Sequence, residues 1–256
     1  LKIDALVLAG RRDGEIDPLA GVETVPHKAL LLAGGKPLIR RVVEALAASG
    51  RIDRIVIAAP EDVRAPIGAA LAGVDGWSFR ETAGSPASTA LAAMEAAPEG
   101  RALLVTTCDH ALLSAAMVRG FLDEARKSDA AAACVERTIY ETRFPGSKRT
   151  FIKLKDFSFS GANLFWFAGA RAKGLADFWR GLEANRKNPL AMARAIGVFT
   201  ALSYLTGSMT KARLENTIRK RTKVGVRLVP LAAAEAAIDV DKPQDLELVR
   251  KLLALE

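Results

Sequence analysis

The sequence predicts an α/β fold built on a mostly parallel central sheet with helices on both faces. Three observations predict it. Short apolar runs alternate with segments whose apolar residues recur every three or four positions. The first run, "IDALVLA" at 3–9, is apolar enough for a strand buried on both faces. Half of the 256 residues are hydrophobic, which is enough to build a sizeable core.

The alternation of strand and helix runs through the first half of the chain. Strands are predicted at 3–9, 54–59, 77–81, 102–109 and 129–137, and helices at 37–48, 61–71, 86–96 and 111–127. Pro37 suits a first helical turn and Ser85 a helix N-cap, whereas residues 10–26 have the Gly, Pro and charge typical of a loop. Ligands bind beyond the carboxyl ends of parallel strands. That rule directs attention to the loop after Ala9, the loop from Thr82 to Ser88, and Asp109.

From about residue 138 the pattern changes. A charged connector leads to a hairpin with a bend near Asp156 and a strand at 163–168. Helices are then predicted at 170–183, 189–205 and 209–221, a strand at 224–231, an acidic extended segment and a last helix opened by Pro243. We interpret residues 1–256 as a single domain that contains a helical insertion at 170–222.

The composition of the chain favours some classes of binding partner over others. The net charge of +8 favours anionic ligands such as nucleotides, while 6 % aromatics without basic-aromatic interleaving argue against nucleic acid. Cys108 and Cys134 form neither a disulfide framework nor a metal cluster, and no run of about 18 apolar residues indicates a membrane span. Residues 3–9 fit a strand better than a signal peptide. We therefore expect a cytoplasmic protein.

Four motifs, in order, carry a family resemblance. They are "LAG" followed by "PHKAL" and "GGKPLI" at 8–39, "VTTCDHALL" at 105–113, "SGANLFWF" at 160–167 and "IDVDKPQDLELV" at 238–249. Together they resemble nucleotidyltransferases of the molybdenum-cofactor guanylyltransferase and sugar-phosphate nucleotidyltransferase type, the MobA-like NTP transferases. The resemblance spans residues 3–253. It implies a Rossmann-like, GT-A-type three-layer sandwich with a helical elaboration in the C-terminal half.

The resemblance implies an Mg²⁺-dependent nucleotidyltransferase. Such an enzyme moves an NMP from an NTP, here CTP or GTP, to a small phosphorylated acceptor and releases pyrophosphate. It implies that Lys28 contacts the triphosphate, that Asp109 is the first metal ligand, and that Asp241 or Asp239 is the second, with Asp241 ranked first. From the residues alone, Asp109 is also a plausible helix N-cap, Lys28 a surface lysine, and the 239/241 pair a capping segment for the last helix.

The glycine-rich loop departs from the family pattern. The family has G-G-x-G-x-R, whereas this chain has "GRRDGEIDPLAG", which keeps Gly10 and Gly14 and adds two arginines. The resemblance implies that Arg11 is catalytic and that Ala9, Gly10 and Arg12 bind the nucleotide. Two arginines can replace backbone contacts to phosphate, or they can mark a loop rebuilt for another ligand.

Further ligand contacts are implied by two other motifs. In "ETAGSPASTALAAM" at 81–94, Gly84, Ser85 and Ser88 correspond to the family's base-reading segment, although a plain capped helix gives the same pattern. Asn163 is the candidate for meeting the acceptor, and a buried structural asparagine is nearly as well supported. His27 and His110 have no metal-ligand partners at helical spacing, so we expect no zinc site and interpret both as bystanders.

The sequence leaves alternatives open for the role of the segment 186–223 and for the function of the whole chain. The segment 186–223 has cationic ends around an apolar middle, so a lid, a dimer face and peripheral membrane contact are all compatible with it. Ordinary amphipathic helices packed on the sheet are favoured there. For the whole chain, the alternatives are a nucleotide-sugar-dependent glycosyltransferase of the same fold and a non-catalytic nucleotide-binding module.

Overall fold

The computed structural model describes residues 1–11, 18–147, 149–185, 194 and 197–255. The strands are β1 (Lys2–Leu8), β2 (Leu32–Ala33), β3 (Lys36–Pro37), β4 (Arg54–Ala59), β5 (Trp77–Glu81), β6 (Arg101–Thr107), β7 (Ala130–Glu136), β8 (Ile152–Lys153), β9 (Ser158–Phe167) and β10 (Val226–Pro230). The helices are α1 (Pro18–Val22), α2 (Leu38–Ala48), α3 (Arg64–Ala70), α4 (Pro86–Ala96), α5 (Ala115–Ala125), α6 (Arg137–Arg143), α7 (Lys173–Asn185), α8 (Val198–Leu205), α9 (Lys211–Thr222) and α10 (Pro243–Leu253). Short 3-10 helices cover Lys28–Leu30, Glu61–Val63, Gly169–Ala172 and Ala234–Ala237.

One eight-stranded sheet organises the described residues. Its strand order is β10-β7-β9-β6-β1-β4-β5, with β8 paired to β9. All of these pairings are parallel except those of β9, which runs antiparallel to β6, β7 and β8. The prediction of a mostly parallel sheet is therefore confirmed. The carboxyl ends of β1, β4 and β6 lie side by side at one edge, because Leu8 pairs with both Ala58 and Thr107.

Apolar packing covers both faces of the sheet. Along β1, Ile3, Ala5 and Val7 belong to one core cluster, and Leu6 and Leu8 belong to the other. Helices α2, α3, α5 and α10 contribute to the first cluster, and α4 and α7 to the second. This alternation of side chains explains why the run at 3–9 has no polar face: each side of β1 is buried under a layer of helices.

Two segments predicted as irregular contain helices. Helix α1 lies within the predicted loop 10–26, and α6 occupies part of the charged connector that follows β7. In α6, Arg137 pairs with Glu141 one turn later, and Tyr140 is buried against Phe144 and Phe151. Because one buried aromatic side chain fixes the packing of α6, the segment folds as a helix in spite of its many charges.

The C-terminal half agrees with the sequence prediction where it is described. The hairpin bends at residues 155–156, and β9 is longer than the predicted strand 163–168. The predicted helix at 189–205 is described at residue 194 and at α8, and its other positions lie outside the described residues. Helix α9 packs on β10, where the Glu215 carboxylate accepts a hydrogen bond from Leu228 N of this edge strand at 2.8 Å. Among the described residues, no helix combines the length and the apolarity needed to cross a membrane.

An ion cluster joins three parallel strands at the amino end of the sheet. The buried Asp4 of β1 accepts hydrogen bonds from Arg54 Nη2 of β4 at 2.7 Å and from Arg101 Nε of β6 at 2.8 Å. Each arginine also contacts the other Asp4 oxygen, which gives two fork-like pairings on one carboxylate. Burial on its own raises the pKa of Asp4, but the two arginines outweigh burial and hold the pKa below its ordinary value of 3.8.

We expect Asp4→Asn to lower the free energy of unfolding by about 3 kcal/mol near pH 7, because it leaves two arginines without their shared carboxylate. Since the pKa of Asp4 is lowered on folding, its contribution is present above pH 3.8 and is lost as the pH falls further. The difference between wild type and variant, measured by urea unfolding, should therefore shrink in acid. Asp123→Asn, at an exposed carboxylate paired with Arg51, is the matched control. An equal loss in the control, or a difference that grows below pH 3.8, would contradict the prediction.

Candidate active site

The segment that carries Lys28 has a defined local structure. The His27 side chain caps the 3-10 helix Lys28–Leu30 by accepting a hydrogen bond from Ala29 N at 3.1 Å. After it, Gly34 and Gly35 have φ values of +57° and +71°, which suit the tight turn between β2 and β3. This short hairpin returns the chain to α2 and leaves Lys28 at the carboxyl edge of the central sheet.

Lys28 joins two distant carboxylates. Its Nζ lies 2.5 Å from Asp109 Oδ2 and 3.2 Å from Asp241 Oδ1. Lys28 and Asp109 are largely buried, with side chains 17 % and 9 % exposed, whereas Asp241 is 58 % exposed. The cluster is therefore closed on the Asp109 side and open to solvent on the Asp241 side.

Asp109 is fixed by its surroundings. It follows β6 in a turn, its Oδ1 accepts a hydrogen bond from the Thr107 hydroxyl, and its backbone O accepts one from Val240 N at 3.1 Å. Ser114, five residues after Asp109, caps α5 by accepting a hydrogen bond from Met117 N. Asp109 therefore does not serve as the N-cap of that helix, which leaves its carboxylate directed at Lys28.

The negative charge of Asp109 stabilises the protonated form of Lys28. Burial on its own would lower the pKa of Lys28, but the adjacent Asp109 carboxylate outweighs burial, and Asp241 adds to its effect. The net result is a pKa of Lys28 raised above its ordinary value, so the lysine stays protonated at all physiological pH values.

Asp239 has a separate cationic partner. It accepts a hydrogen bond from Arg149 Nη1 at 3.0 Å, while Arg149 Nε donates to the Ser160 hydroxyl at 2.8 Å. Burial raises the pKa of Asp239 in spite of Arg149, and the negative charges of Asp241 and Asp109 raise it further. Asp239 thus lies close enough to the other two acids for their charges to affect its pKa, but its carboxylate pairs with Arg149 and not with Lys28. Neither Asp239 nor Asp241 caps α10, where Asp245 accepts the hydrogen bonds of Asp241 N and Lys242 N.

The loop after β1 is described only at its beginning. Ala9 is buried and its N donates to Ala58 O at 2.8 Å. Gly10 lies beside Thr82, where an added Cβ would be at an ordinary contact distance of 3.5 Å from the Thr82 methyl. Arg11 forms an exposed ion pair with Asp62 at 2.6 Å, after β4, and contacts none of the three aspartates. Arg12 and Gly14 lie outside the described residues.

The segment after β5 forms a capped helix start next to that loop. Gly84 has a φ of +73°, in the left-handed region that favours glycine. Ser85 caps α4 by accepting from Ser88 N at 3.1 Å, and the two hydroxyls are also 3.1 Å apart. The carboxylate of Glu183 in α7 accepts a hydrogen bond from Ala87 N at 3.3 Å. The structural role expected for Ser85 is therefore present, and contacts of Ser85 and Ser88 with a nucleotide stay a prediction.

Asn163 and His110 lie at the junction of β6 and β9. Leu164 pairs with Thr106, so Asn163 is beside the carboxyl end of β6. Its side chain is half-buried, and no protein hydrogen bond to it is found within the described residues. His110 is fully buried, with Nδ1 3.4 Å from the Thr106 hydroxyl and with the backbone of Asn163 and Ala236 close to the ring. Burial lowers the pKa of His110 to about 4, although the charge of Asp109 acts against this shift.

The candidate site offers two carboxylates, which is part of the ligand shell of a hard divalent cation. No group of three or more histidine, cysteine, aspartate or glutamate side chains is arranged as a metal centre among the described residues. Asp109 and Asp241 do bring two carboxylates to one ammonium nitrogen, and Mg²⁺ commonly takes one or two protein carboxylates with phosphate oxygens and waters as its other ligands. Two converging carboxylates therefore fit such an ion.

The segment predicted to form a lid, a dimer face or a membrane contact is described in part. Residues 186–193, 195 and 196 lie outside the described residues. Helix α8 has four large hydrophobic residues that are exposed, namely Phe199, Leu202, Tyr204 and Leu205. Helix α9 has no buried residue and carries basic side chains in its last turn. Membrane contact through 186–223 stays a prediction.

Sequence reasoning missed two residues of the cluster. Thr107 lies two positions before Asp109, so the alternation of side chains in a strand was a signal for its place. Arg149 comes from the connector before the hairpin, and no spacing in the sequence pointed to its contacts with Asp239 and Ser160.

Comparison with known proteins identifies a family and solved structures of the same fold. The family model of the MobA-like NTP transferase domain matches residues 5–219. A search of curated proteins found no match to the chain.

Solved structures share the fold. A hypothetical transferase from Thermus thermophilus is 28 % identical with a TM-score of 0.81, and the match covers 96 % of this chain and 100 % of that one. The 4-diphosphocytidyl-2C-methyl-D-erythritol synthase of Anaerococcus prevotii is 13 % identical with a TM-score of 0.61, covering 99 % and 98 %. A CMP:2-keto-3-deoxy-manno-octonic acid synthetase complexed with CTP is 15 % identical with a TM-score of 0.64, covering 100 % and 99 %.

The buried His110 makes stability depend on pH. Its pKa is about 4 in the folded chain against an ordinary 6.5, so the unfolded chain binds the proton first as the pH falls. We expect roughly 3 kcal/mol of the free energy of unfolding to be lost between pH 6.5 and pH 4 through this residue. His110→Gln should remove that part of the pH dependence, as measured by urea unfolding at several pH values. Identical slopes for wild type and variant would contradict it.

Proposed function

The chain belongs to the family of MobA-like NTP transferase domains and is a nucleotidyltransferase; on that premise we propose its reaction. It transfers an NMP from an NTP, CTP or GTP, to a small phosphorylated acceptor, with Mg²⁺ as the cofactor and pyrophosphate as the second product. One observation carries the proposal. Lys28 Nζ contacts both Asp109 and Asp241, and these three residues come from separate parts of the sequence. They meet at the carboxyl edge of the parallel strands, which is where α/β sheets generally bind their ligands.

The main barrier to this reaction is electrostatic. An acceptor phosphate oxygen attacks the α-phosphorus of the NTP, a new P–O bond forms, and the bond between the α-phosphorus and the bridging oxygen breaks so that pyrophosphate leaves with its electron pair. Both reactants are anions, so their approach needs positive charge held in advance. Lys28 supplies one such charge, and because its pKa is raised it remains an ammonium throughout.

Asp109 and Asp241 are the proposed metal ligands. When bound, Mg²⁺ supplies positive charge to the phosphate oxygens and to the departing pyrophosphate. Asp109 is held by Thr107 and by the backbone of Val240, so its carboxylate is positioned before any ligand arrives. Asp239 is already matched by Arg149, which supports Asp241 as the second ligand.

The nucleotide is proposed to lie across the ends of β1 and β5. Ala9 and Gly10 begin the first loop, and a Cβ added to Gly10 would be in contact distance of Thr82 in the second. Gly84, Ser85 and Ser88 follow Thr82 and offer a backbone without a side chain and two hydroxyls to a base or ribose. Arg11 and Arg12 are the proposed phosphate contacts of the loop, which requires Arg11 to leave Asp62.

The acceptor is proposed to lie next to β9. Asn163 has a side chain free of protein hydrogen bonds within the described residues and lies beside the carboxyl end of β6. It is therefore available to a polar substrate group, as the site prediction requires. An assay of pyrophosphate release with the four common NTPs and a panel of sugar and polyol phosphates, with and without Mg²⁺, tests the function directly. Transfer of a sugar from a nucleotide-sugar instead would support the glycosyltransferase alternative.

Removing either proposed metal ligand should abolish the reaction. We expect Asp109→Asn and Asp241→Asn each to lower the rate of pyrophosphate release by about a thousandfold or more, because several kcal/mol of charge stabilisation is lost. The measurement is a coupled pyrophosphate assay at saturating Mg²⁺ and NTP. Melting curves must show that the variants stay folded.

Asp123→Asn is the control for a lost carboxylate far from this cluster, since Asp123 pairs with Arg51 at the surface. It should keep the wild-type rate. Retention of more than a tenth of that rate by folded Asp109→Asn would refute the assignment of this residue.

A further inference from the structure

We propose that Lys28 is an internal counter-ion that competes with the divalent metal for Asp109 and Asp241, so that metal and triphosphate bind cooperatively. The inference rests on the proposed function, because it concerns the same two carboxylates. It adds a coupling between metal binding and triphosphate binding to that function. In the ligand-free protein the metal ligands are already neutralised in part by a residue of the chain, and the metal binds well only when Lys28 has another anion to contact.

Geometry is the first support. One nitrogen atom, Lys28 Nζ, lies 2.5 Å from an oxygen of Asp109 and 3.2 Å from an oxygen of Asp241. A cation bound to the same two oxygens would need to lie between them, and the other Asp109 oxygen is already engaged by the Thr107 hydroxyl. The ammonium therefore occupies the region that a shared metal ion requires, and the two cations cannot both keep full contact with both carboxylates.

Burial is the second support. Lys28 is 17 % exposed and Asp109 is 9 % exposed, so their pairing is poorly screened by water. Separating such a pair without replacement leaves an uncompensated charge in a buried place, which is strongly unfavourable. A divalent ion that displaced Lys28 would also leave two cations as close neighbours. Metal alone should consequently bind weakly.

A triphosphate changes this balance. Its oxygens offer Lys28 a new anionic partner and offer the metal additional ligands. If the triphosphate favours metal binding in this way, the metal must favour triphosphate binding by the same factor, because coupling between two ligands is reciprocal. The other acid of the segment does not take part in this exchange, since Asp239 keeps its own partner in Arg149.

The test measures metal binding without nucleotide. Mn²⁺ alone is titrated into wild type, Lys28→Gln and Lys36→Gln, and free Mn²⁺ is measured by electron paramagnetic resonance. We expect Lys28→Gln to bind one Mn²⁺ at least tenfold more tightly than wild type. Lys36→Gln is the matched control, because Lys36 is also a lysine paired with a carboxylate, at 2.6 Å from Glu44, but its side chain is 49 % exposed. It should bind Mn²⁺ like wild type.

A second variant locates the ion. Lys28→Gln combined with Asp241→Asn should lose the gained affinity, because one of the two carboxylates is gone. The inference is overturned if Lys28→Gln binds Mn²⁺ no more tightly than wild type, if Lys36→Gln gains as much, or if the double variant keeps the gain. Should Lys28→Gln be only marginally folded, the rise in melting temperature at a fixed Mn²⁺ concentration serves instead, since it should be larger for the variant than for wild type.

The outcome is separable from that of the proposed function. Pyrophosphate release by wild type together with unchanged Mn²⁺ affinity in Lys28→Gln would refute the competition and leave the reaction standing. Tighter Mn²⁺ binding in Lys28→Gln together with no reaction of wild type across the NTP and acceptor panel would refute the reaction and leave the competition standing.

Discussion

The packing of the candidate active site depends on one constraint, the contact of Lys28 with the two carboxylates of Asp109 and Asp241. Asp109 is almost fully buried, and a buried carboxylate without a cation or several hydrogen bonds would be strongly unfavourable. Lys28 meets that requirement from the 3-10 helix Lys28–Leu30, and Asp241 approaches from the far end of the sequence. The three segments must therefore be packed together before the charges are satisfied, which ties the shape of this edge to its electrostatics.

Backbone and arginine contacts hold these segments in place. Val240 N donates to Asp109 O, so the segment between Asp239 and Asp241 is fixed directly to the turn after β6. Arg41 of α2 donates to Ala111 O and Ala33 O, which links that turn to the hairpin following Lys28. Arg250 of α10 donates to Leu32 O and pairs with Glu23. The last helix is thus fixed to the chain on either side of Lys28, and the acidic segment before this helix is brought to Lys28.

The sequence predicted the framework of this arrangement more fully than its details. Alternating apolar runs are a direct result of a sheet covered on both faces, so the order of strands and helices around Asp109 followed from the sequence. The aspartate's place at the end of a strand followed in the same way. Arg149 did not, because its contact with Asp239 joins positions 90 residues apart and depends on how the hairpin of β8 and β9 folds back. Helix α6 was missed for a related reason, since its burial rests on Tyr140 meeting Phe151 from that same hairpin.

The unequal environments of Asp239 and Asp241 explain how one short segment can serve two purposes. Val240 between them is fully buried, and its N donates a hydrogen bond to Asp109 O. The two aspartates therefore lie on either side of a residue whose position is fixed. In an extended segment residues i and i+2 project to the same side, which brings both near Asp109. Burial and the neighbouring negative charges raise the pKa of Asp239, and Arg149 compensates by pairing with it. Asp241 is more exposed and shares its cation with Asp109. Asp239 is therefore suited to hold the segment against β9, while Asp241 keeps a carboxylate that an incoming cation can reach from solvent.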